Sequence, residues 1–227
     1  VRVLVVTAVA AEADSVAAGL TGPVLDTRQL PGGYALSRQG TVDVLAAGVG
    51  PAAAAAATAT ALALDAYDLV VSAGIGGGFQ PHAPIGALVV ADAIVAADLG
   101  AETPDGYLPV DELGFGRSIH RPPAALSQQT ADTLDAVYAP VLTVSTVTGT
   151  AARAAELRDR HPRAAAEAME GFGVAEAAAA HSVPVLEIRA VSNTVGPRDR
   201  ATWRIGQALD SLRYAFQLLN PLLEESP

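Results

Sequence analysis

Residues Ala164–Asn193 read AAAEAMEGFGVAEAAAAHSVPVLEIRAVSN. The stretch divides into a short apolar strand at Ala164–Ala168, an Ala-rich helix at Phe172–His181 and a second strand at Pro184–Val191. Strands that are apolar on both faces belong in a sheet covered by helices on both sides. Two polar residues interrupt this scheme where ligands bind in open α/β sheets, beyond the carboxyl ends of the strands. Glu170 stands just past the first strand, and Asn193 follows the second.

The same alternation extends in both directions. Upstream, a buried strand at Arg2–Val9 leads into a helix at Ala10–Leu20, and Pro23–Gly33 reads as a loop. Tyr34–Arg38 and Val42–Ala47 pair as strands, and Pro51 opens a helix over Ala52–Leu64. Asp68–Ser72 is a strand running into the glycine cluster Gly74–Gly78, and Ala87–Val95 is another. Asp98–Arg121, rich in Gly, Pro and acids, has no clear period; such stretches are functional or lie at interfaces. Pro122–Ala136 is helical, Val141–Ser145 a strand, Ala151–Arg160 a helix and Ala201–Leu219 the last helix. No repeat or linker interrupts residues 1–227. The expectation is one α/β domain with a mixed, mostly parallel central sheet between helical layers.

Composition narrows the chemistry. Apolar residues make up 51% of the 227, but aromatics only 4%, so the core is built from Val, Leu, Ile and Ala. A net charge of −10 argues against nucleic-acid and anionic-membrane partners, both of which need a basic patch. There is no Cys, which removes disulfides, thiolate nucleophiles and Cys-ligated metals. All 14 basic residues are Arg, so Schiff-base chemistry and the phosphate-loop lysine are also absent. The four His are widely spaced, and no metal or other cofactor is expected. Val1–Ala11 has the outline of a short export signal, but it is rich in β-branched residues and followed at once by Glu12 and Asp14. A buried first strand, in a cytoplasmic protein, is the expectation. Ala52–Leu64 is too short to cross a bilayer.

Four strand ends carry unusual residues. Gly74 and Gly76 fit the first positions of a dinucleotide fingerprint, but Phe79 stands where its last glycine is required, and no Lys follows for a phosphate loop. The cluster reads either as a tight turn or as a place where backbone N–H groups approach a ligand. Glu12, in the first turn of a helix, also reads as a carboxylate favoured by the helix dipole. Asn193 also reads as a turn former. Glu170 is the stronger signal, because a charge at the end of an apolar strand is rarely buried without a partner.

Taken together, Val3–Glu12, Val70–Phe79, Glu167-Ala-Met-Glu-Gly171 and Glu187-Ile-Arg-Ala-Val-Ser-Asn193 resemble the purine nucleoside phosphorylase and nucleosidase family nearly end to end. Within it the chain is similar to the methylthioadenosine/adenosylhomocysteine nucleosidases, and its tail Val195–Trp203 resembles the futalosine-cleaving branch. The resemblance implies a nucleoside phosphorylase-like fold, a small-molecule nucleoside as substrate, water as co-substrate and a homo-oligomer in which a neighbour closes the pocket, with Asp98–Arg121 as the donor segment. It implies that Glu12 activates water and that Met169 and Glu170 hold the ribose. Gly74, Ile75 and Gly76 approach the ligand, and Thr148, Gly149 and Thr150 align with the segment lining the base. The adenine-specific relatives have Asp where this chain has Asn193. Adenine offers an N7 acceptor beside an N6 donor, whereas a 6-oxopurine offers two acceptors. An amide with two N–H donors suits the latter. Asn193 thus points to hypoxanthine or guanine as the leaving group, and together with the resemblance to cleavage of a 6-oxopurine nucleoside, futalosine first.

Phosphorolysis is the enzymatic rival, but the loop Ala8–Ser15 has two carboxylates and no Arg with which to hold phosphate. A non-catalytic nucleoside binder is the rival of another class, and Glu12 argues against it. Futalosine carries an aromatic carboxylate beyond the ribose. Arg198 is the first candidate to meet it, with Arg200 and Arg117 behind.

Overall fold

The computed structural model describes residues 1–225. Its centre is a mixed sheet whose strands are β1 (Val3–Thr7), β2 (Val24–Gln29), β3 (Ala35–Gln39), β4 (Val42–Ala46), β5 (Leu69–Gly78), β6 (Leu88–Ala96), β9 (Ile119–His120), β10 (Val137–Thr143), β11 (Ala166–Ala168) and β12 (Val185–Thr194). A separate hairpin is formed by β7 (Gly100–Thr103) and β8 (Gly106–Pro109). The sheet order is β11-β10-β6-β12-β5-β1-β4-β3-β2, with β9 on β6. Pairing is parallel from β4 through β1 and β5 to β12, and again from β6 through β10 to β11. The two parallel blocks meet where β12 runs antiparallel to β6. Because β11 also pairs antiparallel with the end of β5, that half of the sheet curls back on itself.

Helices α2 (Pro51–Leu64) and α5 (Gly171–Ala180) cover one face, where Ala54, Ala57 and Ala61 pack with Val174, Ala175 and Ala178. Small side chains let these two helices close to backbone contact: a Cβ on Gly173 would fall 2.0 Å from the carbonyl oxygen of Pro51. Helices α1 (Ala10–Gly19), α3 (Ala124–Leu134) and α6 (Ile205–Glu225) cover the other face. The buried stripe Ala208, Leu212, Ala215, Phe216, Leu219 and Leu223 has the helical period that seats α6. Helix α4 (Ala151–Arg160) closes a smaller cluster around Leu142 and Phe79.

The expected three layers are present, with local corrections. Pro23–Gly33 is not all loop, because it contains β2, an edge strand whose side chains are nearly all exposed and so leave no apolar alternation to read. Asp98–Arg121 contains the β7–β8 hairpin and β9. Strand β10 begins at Val137, earlier than expected, and the last helix begins at Ile205 after a 3-10 turn at Arg200–Thr202. The glycines Gly74–Gly78 are not a turn. They continue β5 as an extended strand, paired with β12 along its length and also with β11 at Gly77 and Gly78. Among the described residues no helix is long and apolar enough to cross a membrane.

Candidate active site

The carboxyl ends of β1, β5, β11 and β12 surround a cavity of about 320 Å³, within the size range of small-molecule sites. Glu12, Ile75, Gly76, Met169, Glu170 and Asn193 all line it, joined by Glu167, Ser192 and Trp203.

Glu12 sits at the third position of α1 and turns back over the helix start. Its Oε2 accepts the N–H groups of Ala8 (2.9 Å) and Val9 (3.3 Å), and its Oε1 accepts the N–H of Ile75 (2.9 Å). Glu12 thus both accepts the N–H groups at the start of its helix and lines the cavity. A carboxylate has about four lone-pair sites, so three protein donors leave about one for a ligand or water. Glu12 is only 4% exposed. Burial pushes its pKa up, opposed by the Ile75 N–H and by the positive charge of Arg189.

Glu170 occupies the N-cap position of α5 just beyond β11, but its side chain turns away from the helix start. Its Oε1 accepts the N–H of Gly50 (3.2 Å), and its Oε2 accepts Arg189 Nη1 (3.3 Å). Gly50 has φ +97°, in the left-handed region that favours glycine, as it enters α2. The close approach of α2 to α5 is thus what brings this N–H to Glu170.

Arg189 is fully buried. Its Nε donates to Glu187 Oε1 (2.9 Å) and its Nη2 to Ser72 Oγ (2.8 Å). It faces Glu12, Glu170 and Glu187, and these acids hold its pKa up against burial. Burial pushes the Glu187 carboxyl up in turn, and Glu187 Oε2 has no hydrogen-bond partner. The glycines explain how this cluster fits. A Cβ on Gly74 would lie 2.6 Å from Glu12 Oε1 and 2.8 Å from Arg189 Nη1, and one on Gly171 would strike the Glu187 carboxylate. Glu187 and Arg189 are two apart on one strand and share a face. Opposite charges at that spacing inside an apolar run were the available sequence signal for this buried pair.

Asn193 lies beyond an irregularity in β12. Val191 is opposite Gly76 and Asn193 opposite Gly77, so Ser192 is the extra residue. A bulge of this kind re-aims side chains next to a site. The Ser192 hydroxyl lies within hydrogen-bond reach of both Asn193 Oδ1 (2.9 Å) and the Gly76 carbonyl (3.2 Å), and Asn193 Nδ2 donates one N–H to the Thr194 carbonyl (3.2 Å), which leaves its other N–H for a ligand.

Other expected residues stand apart from the cavity. Gly74 lies behind its wall. Thr148 is bound to Glu167, Gly149 accepts the N–H of Arg198 at 3.1 Å, and Thr150 caps α4 through Arg153 N. None of these three lines the cavity; Val147 of the same loop does. Arg198 is exposed, with its guanidinium 5.1 Å from the ring centre of the cavity residue Trp203 and that of Arg200 6.0 Å away. Arg117 lies elsewhere, 4.0 Å from Glu176. Among the described residues, no three His, Cys, Asp or Glu side chains are grouped as a metal ion would require.

A family model described as the phosphorylase superfamily matches residues 3–219. The chain belongs to that superfamily. It is 62% identical to a futalosine hydrolase of Streptomyces coelicolor over 98% of this chain and 97% of the relative. It is 51% identical to a futalosine hydrolase of Acidothermus cellulolyticus over 96% of this chain and 90% of the relative. The fold is that of a methylthioadenosine/adenosylhomocysteine nucleosidase from Colwellia psychrerythraea, solved with adenine. That match has a TM-score of 0.83 at 23% identity, covering 97% of this chain and 95% of that one. The superfamily is thus the one that the motifs had indicated.

Proposed function

We propose that this protein hydrolyses the N-glycosidic bond of futalosine, releasing hypoxanthine and dehypoxanthine futalosine, a step in menaquinone biosynthesis. The observation that carries the reading is the pairing inside one cavity of a buried carboxylate, Glu12, with an amide, Asn193, which keeps one N–H for a ligand while the other is donated to the Thr194 carbonyl. The near full-length likeness to two futalosine hydrolases supports the choice of substrate.

As the C1′–N9 bond breaks, positive charge grows on the ribose and negative charge on the base. Glu170 binds the ribose hydroxyls and favours the cationic sugar, and Met169 packs on it. Asn193 donates its remaining N–H to the N7/O6 edge and stabilises the purine anion, an electrostatic contribution. Water attacks C1′ and gives its proton to Glu12; a carboxyl raised toward neutrality is the better base. The departing base takes up a proton from solvent. No arginine is among the cavity-lining residues, and buried Arg189 is already engaged by two carboxylates and Ser72. This favours water over phosphate as the nucleophile. Arg198, over Trp203 at the mouth, meets the carboxylate of the substrate's tail. The protein acts in the cytoplasm as a homo-oligomer.

The decisive experiment incubates the protein with futalosine, inosine and methylthioadenosine, with and without phosphate. Hypoxanthine release from futalosine, independent of phosphate and of chelator, is expected. A ribose-1-phosphate product, or release of adenine only, overturns the reading.

A further inference from the structure

Glu187 has no part in the mechanism above, yet it is wholly buried, as is Arg189 two residues further along β12. Across the sheet Glu187 stands opposite Ser72 of β5, and β6 brings only the apolar Val89 and Val90 alongside Arg189 and Ile188. The charged groups that meet the arginine are the carboxylates of Glu187, Glu170 and Glu12, from β12, from the start of α5 and from α1. A buried ion pair is weak evidence of a need for stability, since apolar residues of the same volume often hold a core as well. This pair therefore calls for another reason.

The geometry supplies one. Arg189 is pinned at three corners: Nε donates to Glu187 Oε1 (2.9 Å), Nη2 to Ser72 Oγ (2.8 Å) and Nη1 to Glu170 Oε2 (3.3 Å). Nη1 also lies beside the hydrolytic base, because a Cβ on Gly74 would be 2.8 Å from Nη1 and 2.6 Å from Glu12 Oε1. Glu187 holds a different corner of the guanidinium and does not line the cavity. Its carboxylate rests against Gly171, the first residue of α5, where a Cβ would fall 2.2 Å from Oε1. A helix start favours negative charge there. Oε2 has no hydrogen-bond partner, so the carboxylate's one strong contact is with Arg189.

We propose that Glu187 is a positioning residue for the hydrolytic base: it holds Arg189 by Nε and offsets its charge, so that Glu12 keeps the basicity needed to take a proton from water. An uncompensated guanidinium beside Glu12 would favour the ionised form too strongly and make it a weak base. With no arginine, Glu12 and Glu170 would repel, and one of them would hold a proton. One arginine shared among three acids lies between these limits. Both directions act at Glu12, where burial and the Glu170 charge push the pKa up while the Ile75 N–H and the Arg189 charge pull it down. The inference rests on Glu12 as the base of the hydrolysis proposed above.

The test is the pH profile of futalosine cleavage by Glu187→Gln, with kcat and KM resolved. The amide oxygen can still accept from Arg189 Nε, so the anchor stays and the charge goes. Charges coupled through a buried cluster move each other's titration by about one pH unit. The acid limb of kcat/KM is therefore expected about one pH unit below that of the wild type. Plateau kcat should fall about 3-fold or more, as befits a weaker base, with KM within about two-fold. Glu187→Asp keeps the charge and should restore the limb. A residue that merely fills the core would change Tm and leave the limb in place. A limb that stays put in Glu187→Gln, or moves up, overturns the proposal. If that variant does not fold, the wild type decides: a limb above the ordinary glutamate range supports the proposal, and one at or below it overturns it, because no basicity is then being maintained. A wild type that releases no hypoxanthine from futalosine at any pH sinks the functional reading instead, an outcome distinct from an active enzyme whose limb does not move.

Discussion

Asn193 turns one side chain into a choice of base. With Oδ1 held by Ser192, Nδ2 brings a donor against N6 of adenine and leaves buried polar groups unpaired. Mispaired groups cost ~1–3 kcal/mol each, roughly 5- to 150-fold in discrimination. Asn193→Asp should move the preference toward adenine, since a protonated carboxyl keeps the Ser192 bond, donates to N7 and leaves N6 an acceptor. Matched kcat/KM values for hypoxanthine and adenine substrates check this, and a wild type that cleaves both equally removes Asn193 from base recognition. Glu12 supports a pH prediction. Burial raises its pKa, and only the ionised form takes a proton from water. The acid limb of kcat/KM should therefore lie above the ordinary glutamate range, with activity lost as pH falls through it. An acid limb at or below that range counts against Glu12 as the base. Glu12→Gln should lower turnover on the order of 100-fold or more. It should also lower Tm, because each oxygen of Glu12 accepts backbone N–H groups and an amide sets N–H₂ against one of them. Of the residues that line the cavity, Glu12, Glu170 and Asn193 stand out in the sequence as polar residues at strand ends against apolar runs, whereas Met169 was singled out only through the family resemblance. Glu167 was not singled out, because its place beside the cavity depends on which strands become neighbours, and Arg189, signalled only by its spacing from Glu187, takes its meaning from the acids that surround it in the fold.

At the scale of elements, β5 and the α2–α5 pair position the site. The sequence shows a strand that ends in glycines, and a turn is the natural reading. Only the register reveals that β5 continues beneath the cavity and that Gly74 and Gly76 are bare because Glu12, Arg189 and the Glu167 carbonyl press against them. Strand β2 escaped notice for the opposite reason: its exposed residues carry no buried face. The α2–α5 contact gives a test. An added methyl at Gly173 meets backbone, not a flexible side chain, so the helices must separate. Overpacking of this kind costs about 1–3 kcal/mol, and each kcal/mol is worth about 2–4 °C in a chain of this size. Gly173→Ala should lower Tm by several degrees. It should also lower kcat/KM beyond what instability explains, because the Gly50 N–H moves away from Glu170. A thermal melt and kinetics well below Tm separate the two effects; unchanged Tm would mean that the helices adjust freely.

For the whole molecule, exposed apolar side chains are unevenly distributed. Leu99 (44%), Leu108 (36%), Phe115 (83%) and Ile119 (40%) all fall within Asp98–Arg121, the segment with least periodicity in the sequence. In a chain of net charge −10, with few aromatic residues, an almost bare Phe is unfavourable in water unless something covers it. The segment is anchored to the rest of the fold, since β9 pairs with β6 and Ser118 hydrogen-bonds to Asp111 (2.6 Å). It is therefore an ordered surface, and a second copy of the chain is the cover proposed here. Phe115→Asp is the sharp test, because a residue this exposed contributes little to the fold of a monomer but sets a buried, unpaired charge in an interface. Sedimentation velocity at micromolar concentration should show an oligomer for the wild type and a smaller species for the variant. The wild-type Tm should rise with protein concentration, and the variant's should not. A wild type that sediments as a monomer, or a variant with unchanged mass, would leave this face to solvent and remove the homo-oligomer from the functional proposal.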